Sequence, residues 1–359
     1  MLRAIFWKPY SHLLIVGDNA GWSVDDDARD LKGFAEKLGI KADIVRRTPF
    51  NIPQAVHYTS QFSLINESIY KSRHRISVDY YHGKPDQQES FRKCFEALRK
   101  HHKQIARVRV SNKEMEQLIK SSGINPEKVM RIPLGIDLEK FRPQTPEKKR
   151  MSRRNLDIPE KAVVVGSFQK DGVGWGEGLE PKLIKGPDIF LEVITKLKKD
   201  IPNLWVLLSG PARGFVKNGL EKLGIPYRHT YLKNSDKIAE LFDAIDLYII
   251  TSREEGGPKA CLQSMAKGVP LVTTAVGQCA DLVKNGENAM MTPVEDVETL
   301  YEYSLQVLRN KELQKTLIKN GLVTAEANSY TAQAPLWKKY FENLNDLPRN
   351  DNRDAVCID

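Results

Sequence analysis

Short apolar runs separated by stretches with helical spacing recur along the whole chain. "HLLIVGD" (12–18) is followed by the amphipathic "DDARDLKGFAEKLG" (26–39) and by "KADIVRR" (41–47). Then come "AVHYTSQFS", "RISVDYY", "RVRVS" and "KVMRIPLG", with the helical pattern "NKEMEQLIKSSG" (112–123) before the last of them. The alternation returns with "AVVVGSF" (162–168), "KGPDIFLEVITKLKK", "LWVLLSG", "IAELFDAID", "LYIITS", "CLQSMAKG" and "PLVTTAVG" (270–277). Continuous apolar runs of strand length predict parallel strands covered by helices on both faces. The expected class is α/β, with two doubly wound, Rossmann-like domains facing a central cleft. Chemistry is then expected on the loops that follow the strands.

The stretch "RPQTPEKKRMSRRNLDIPEKA" (142–162) is rich in proline and charge and holds no apolar strand, so it reads as a linker. This divides the chain into an N-terminal domain at 1–145 and a C-terminal domain at 146–325. A closing helix follows at 326–346 and a disordered tail at 347–359. The closing segment "SYTAQAPLWKKYFENL" sets Leu336, Tyr340 and Leu344 on one helical face, expected to pack back across the domains.

Composition narrows the partners. Apolar residues make up 41% and charged residues 28%, which fits a globular protein. No apolar run reaches the length of about 18 residues that a membrane span needs. The N-terminal LLIV run lacks a small-residue cleavage site beside it and reads as a buried strand. Cys94, Cys261, Cys279 and Cys357 are scattered without a CxxC pair, so neither a disulfide framework nor a zinc site is expected, and a reducing cytoplasm is. Net charge is +9, and most of the basic excess lies before residue 140, which points to an anionic partner. Within it, "FRKCFEALRKHHKQIARVRV" (91–110) sets Phe91, Phe95 and Leu98 on one face among Arg92, Arg99, Lys100 and Lys103. It reads either as an interfacial helix on anionic lipid at the inner face of the membrane or as a core-packed helix with a solvated charged face. No aromatic-interleaved basic strand is present, so no nucleic-acid partner is expected.

Candidate chemistry concentrates in "TSREEGGPKACLQSMAKGVPLVTTAVG" (251–277). Gly256 and Gly257 permit close backbone approach to a ligand, and Pro258 suits the first turn of a helix starting near Lys259. Amides at that helix start favour an anion such as a diphosphate. Glu255 can accept hydrogen bonds from sugar hydroxyls, and Gln263 lies two turns along the same helix. A capped helix with a solvated acidic start would use the same residues.

This stretch, extended to "DLVKNGENAMMTPVEDVETL", resembles the nucleotide-sugar site of the large retaining glycosyltransferase family 4 (glycosyl transferases group 1), which has the GT-B fold. "RIPLGIDLEKFRP" (131–143) is similar to that family's interdomain signature, and "GSF…KGPDIFLEVITKL" to its phosphate-lysine region. The resemblance covers nearly all of the second domain and is weak in the first. It implies a UDP- or GDP-linked sugar as donor substrate, no permanently bound cofactor, no metal, and a glycan or lipid-linked acceptor. Glu255 would contact the sugar near the transferred carbon, and Gly256, Gly257 and Pro258 would meet sugar and diphosphate. Lys185 would neutralise the leaving diphosphate.

Two positions depart from the pattern. Gln263 stands where the family has the glutamate that holds both ribose hydroxyls, and an amide accepts at one end only. Ser167 stands where the family has an arginine, with Lys170 three residues on as a substitute cation without a bidentate fork. The intervening "QKDGVGWGEGLEPKLI", with four glycines around Trp175, reads as a flap or a plain surface loop. Arg213 in "SGPARG" is expected at phosphate or nucleotide, and Leu232 and Lys233 near the base. In the first domain, "YYHG" places His82 at a strand end as a third catalytic candidate. Gly17, Asn19 and Trp22 after the first strand form the acceptor side. The acidic run Asp25–Asp27 reads as the start of a helix rather than a metal site. An inactive nucleotide-sugar or glycan-binding protein of this fold, or a nucleotide-sugar epimerase, remains the alternative.

Overall fold

The computed structural model describes residues 12–17, 23–48, 53–232 and 237–346. Two compact units divide the chain. One runs up to Ile132 and takes in the segment from Ala334 onward; the other spans Pro133–Gln333.

The first unit is a six-stranded parallel sheet: β1 His12–Val16, β2 Lys41–Val45, β3 Ala55–Tyr58, β4 Arg75–Asp79, β5 Ile105–Val110 and β6 Val129–Arg131, ordered β2-β1-β3-β4-β5-β6. Its central strands are largely buried, β3 and β5 without an exposed position, and they carry His57, Arg107 and Arg109 into the interior among their apolar residues. The order reverses between β1 and β3, which opens a crevice at the carboxyl ends of those two strands.

The second unit repeats the design with β7 Val163–Phe168, β8 Leu204–Ser209, β9 Tyr227–Thr230, β10 Leu247–Ile250, β11 Leu271–Thr274 and β12 Met290–Thr292. All pairs are parallel and the order is β12-β11-β10-β7-β8-β9. Here the reversal falls between β7 and β10, so the loops after those strands flank one crevice.

The proline-rich stretch read as a linker contains a helix, Pro146–Asn155, capped by the Thr145 side chain. It is fastened to the second unit. Arg153 meets Asp246 at 2.7 Å and donates to the Ala244 carbonyl at 2.9 Å, while Lys149 meets Asp246 at 2.5 Å. Of the charges that suggested solvent exposure, Lys149 and Arg153 are ion-pair partners of Asp246, while Glu147 and Arg150 pair at the surface.

The last described helix, Tyr330–Asp346, buries Trp337, Tyr340, Phe341 and Leu344, one face at helical spacing. Leu336, expected on that face, is 40% exposed. Trp337 takes the place assigned to it, because its larger ring stacks on Phe34 at 5.3 Å and lies under the Arg109 guanidinium at 4.6 Å. The tail 347–359 lies outside the described residues.

Beneath that helix lies a buried polar cluster. Asp79, at the end of β4, accepts from Tyr81 at 2.5 Å and from Arg109 at 3.2 Å, and faces His57 Nε2 at 3.3 Å. The Tyr340 hydroxyl lies 3.2 Å from His57 Nδ1. Burial by itself would raise the Asp79 carboxyl, but Arg109, His57 and Tyr81 outweigh it and hold it below the ordinary carboxylate range. A carboxyl depressed in the folded state binds fewer protons there than when unfolded, so its contribution is present above a pH of about 4 and is lost as pH falls through the folded value. Asp79→Asn should therefore destabilise the chain by about 3–5 kcal/mol at neutral pH, because Arg109 is left buried and uncompensated. Urea denaturation across pH is the check: the gap between wild type and variant should narrow on the acid side.

Candidate functional site

The crevice of the second unit is lined by two loops that hold each other. After β7 the chain runs through Gln169 and Lys170 to a bridge between Gly172 and Pro181, then into a single 3₁₀ turn at Leu183–Lys185. After β10 it runs from Thr251 to Pro258, which caps the helix Lys259–Ala266. Gly186 joins the two. Its backbone is left-handed, and any Cβ would overlap the Thr251 carbonyl, while the Thr251 hydroxyl donates to the Gly186 carbonyl at 2.7 Å. Arg253 and Glu254 both donate backbone N–H groups to the Ile184 carbonyl. The Arg253 guanidinium holds Asp188 with two bonds of 2.9 and 2.8 Å and Glu295 at 2.7 Å.

This double fastening brings Lys185 and Glu255 together. Lys185 Nζ lies 2.6 Å from Glu255 Oε1, and the Ser252 hydroxyl donates to the same oxygen at 2.9 Å. Among the described residues no side chain donates to the second glutamate oxygen. Beneath the loop, Gly277 is left-handed, with the Glu255 and Gly256 carbonyls where a Cβ would stand, and Gln278 N–H donates to the Gly256 carbonyl at 3.1 Å. Gly257 and Pro258 follow directly. Gln263, half-buried on the helix behind, makes no side-chain hydrogen bond among the described residues.

Lysines gather on the β7 side. Lys170 Nζ sits 4.1 Å from the centre of the Trp175 ring, which is 59% exposed. Burial lowers the Lys170 pKa. Lys182, which the sequence reading passed over, is lowered by burial first and then by the charges of Lys185 and Lys170, with Glu255 opposing. No motif marks Lys182; its position one 3₁₀ turn before Lys185 is the only sequence signal that could have found it.

Arg213 is placed differently from its expected ligand role. Its guanidinium is buried and spent on the protein: one nitrogen donates to the carbonyls of Ser167, Gln169 and Ser209, and the other to the Ser167 hydroxyl at 3.2 Å. Nε faces the Asp171 carboxylate at 2.9 Å, off the line of its N–H, as an ion pair. Burial pushes the Asp171 carboxyl up against the opposing pull of Arg213. Ser167 is thus held from within, and Arg213 positions the loop that carries Lys170.

Residues 179–323 match the family model described as glycosyl transferases group 1. Among curated relatives, a D-inositol 3-phosphate glycosyltransferase of Stackebrandtia nassauensis is 29% identical over 199 residues, 52% of this chain and 42% of that protein. An N,N'-diacetylbacillosaminyl-diphospho-undecaprenol alpha-1,3-N-acetylgalactosaminyltransferase of Campylobacter jejuni is 27% identical over 236 residues, 65% of this chain and 59% of that protein. The chain thus spans about half the length of the curated relatives it matches. HepE of Anabaena, solved with UDP and glucose, superposes with a TM-score of 0.74 at 16% identity, covering 94% of this chain and 100% of that one. The fold is GT-B-like, as expected.

The remaining expected positions lie on other elements of the two units. Leu232 packs partly buried against the second unit's core, beside an exposed Tyr231 at the end of β9; Lys233 lies outside the described residues. In the first unit Gly17 follows β1, while Asn19 and Trp22 lie outside the described residues. His82 follows β4 and is held by its backbone: the buried Gln61 side chain accepts from Tyr81 N–H at 3.0 Å and His82 N–H at 3.3 Å, and donates to the His82 carbonyl at 2.5 Å. The His82 ring meets Phe91 edge-on at 5.2 Å. The basic segment forms the helix Glu89–His101 with Phe91, Cys94 and Leu98 buried. Arg92 pairs with Glu89 and Glu96, and Lys100 with Glu67, so much of its charge is answered within the unit. Among the described residues no helix is long and apolar enough to cross a membrane.

Gly277→Ala should destabilise the chain by about 1–3 kcal/mol through backbone strain and displacement of the Glu255 loop. Gly286→Ala, also left-handed but with open space around its Cβ, should cost only the backbone penalty of about 1 kcal/mol. Urea unfolding of the two variants separates these contributions.

Proposed function

We propose that the protein is a retaining, metal-independent glycosyltransferase that moves a sugar from a UDP- or GDP-linked donor to a glycan or lipid-linked acceptor in envelope polysaccharide synthesis. The place of action assigned to it is the cytoplasm, at the inner face of the membrane. The observation that carries this reading is the Lys185–Glu255 pair at 2.6 Å, set at the switch point of the family-matched unit beside a surplus of lysine charge. The nucleotide in the HepE structure and the lipid-linked substrate named for the Campylobacter relative are consistent with it.

In this reading the donor's diphosphate takes Lys185 away from Glu255. Lys185 and Lys170 then stabilise the charge that grows on the leaving phosphate as the bond to the sugar breaks. Glu255, released from its partner, turns its acceptor oxygens to the sugar hydroxyls. Gly256, Gly257 and Pro258 bring backbone to sugar and diphosphate, Gln263 holds the ribose, and His82 of the first unit supplies a hydrogen-bonding ring to the substrate. The departing phosphate itself receives the acceptor's proton. A second reading, a binding protein without transfer, is favoured by the pair Gln263 and Ser167, since neither supplies the charge that the family's pattern has there.

A thermal-shift panel of UDP, GDP, ADP and their sugar conjugates tests the reading. One nucleotide should raise the melting temperature. Glu255→Ala should leave the shift for the bare nucleotide and reduce it for the sugar conjugate. Gln263→Glu should tighten nucleotide binding by roughly 1 kcal/mol, a charge-assisted bond replacing a neutral one. No shift with any nucleotide, in wild type or Gln263→Glu, would sink the donor site. A shift without sugar release in the presence of acceptor glycans would favour the second reading.

A further inference from the structure

Lys182 belongs to no motif of the family resemblance, yet its backbone is among the better fixed in the loop after β7. Its N–H donates to the Asp171 carbonyl at 2.8 Å, and its carbonyl accepts from Lys185 N–H at 2.8 Å. Asp171 is in turn held by the buried Arg213. Lys182 is the N-cap of the 3₁₀ turn Leu183–Lys185, whose closing bond folds the two residues back toward each other, and the charges of Lys185 and Lys170 are both felt at its ammonium. Lys170 leaves the chain immediately before Asp171, on the anchored segment.

The charges in this group do not cancel. Glu255 is engaged by Lys185, and Lys170 rests on the Trp175 ring. The Lys182 ammonium has neither hydrogen bond nor ion pair among the described residues, although the residue is only partly exposed. A partly buried ammonium without a partner has given up hydration and received nothing in exchange. Its pKa is lowered accordingly, by burial first and by its two lysine neighbours next. An arriving anion would restore what it lacks. The Ser167 position cannot do this, because its hydroxyl is already paired with Arg213 from the interior.

We infer that Lys182 is a further diphosphate-binding residue, adding to Lys185 and Lys170 a cation where Ser167 provides none. The inference deepens the nucleotide-sugar reading and rests on it for the identity of the ligand, but not for the anion site itself.

Titration calorimetry with UDP, GDP, uridine, guanosine and inorganic pyrophosphate, on wild type, Lys182→Met, Lys182→Gln and Lys182→Arg, tests it. For the nucleoside diphosphate that binds, the Met and Gln variants should weaken affinity about tenfold, the loss of one charge-assisted contact. The Arg variant should recover most of it, and the deficit should shrink at high salt. Affinity for the bare nucleoside should not change, a readout that loss of folding would not spare. If the Met and Gln variants bind the diphosphate as wild type does, the inference is overturned while the nucleotide reading stands. If pyrophosphate binds in a Lys182-dependent way and no nucleotide binds, the cation site stands and the nucleotide reading falls. If wild type binds neither, both fall.

Discussion

The crevice of the second unit depends on one buried guanidinium. Arg213 ties together the end of β7, the segment after it and the end of β8 through carbonyls of Ser167, Gln169 and Ser209, and it meets Asp171 at 2.9 Å. Five donors on a rigid planar group can satisfy several loop carbonyls at once, which a lysine could not. The arrangement is demanding, because removing either partner would strand the other charge in the interior. What it secures is the start of a glycine-rich loop that would otherwise have little to fix it. Lys170, Lys182 and, through the next turn, Lys185 all take their positions from that anchored start.

The same solution recurs in the first unit with different chemistry. There a buried carboxylate, Asp79, is surrounded by Arg109, His57 and Tyr81 at the ends of β4 and β5, and the helix carrying Trp337 and Tyr340 closes over it. Parallel sheets leave their strand ends as polar backbone with no further ladder to join. Both units answer that need with charged side chains held in the interior, and both place their candidate site residues immediately beyond. His82 lies three residues past Asp79, and its peptide is gripped by Gln61.

Legibility in the sequence followed burial. The central strand "LYII" read directly, because its positions are covered on both faces and all apolar, whereas "RISVD" buries Ser77 and Asp79 beside Ile76 and Val78. β9 and β12 did not, since "YRHT" is half-exposed at a sheet edge and "MMT" has three residues. The helix 146–155 was hidden because its contacts are ionic, and ion pairs leave no periodic trace. Leu336 was preferred over Trp337 by spacing alone, which counts positions but not ring contacts with Phe34 and Arg109. At the site, Glu255 and Lys185 were found through motif resemblance and do meet. Arg213 was expected at phosphate or nucleotide from its position after the strand "LWVLLSG", whereas its guanidinium is buried and bonded to the protein. Lys182 escaped because no motif marks it and its relation to Lys185 comes only from the turn between them.

The central claim is that an anionic diphosphate opens the Lys185–Glu255 pair. A crystal structure of the chain with the nucleoside diphosphate that stabilises it measures this directly. The account predicts diphosphate oxygens within hydrogen-bond distance of Lys185 Nζ, with Glu255 separated from it beyond the present 2.6 Å. A diphosphate bound elsewhere, with that pair still closed, would contradict it.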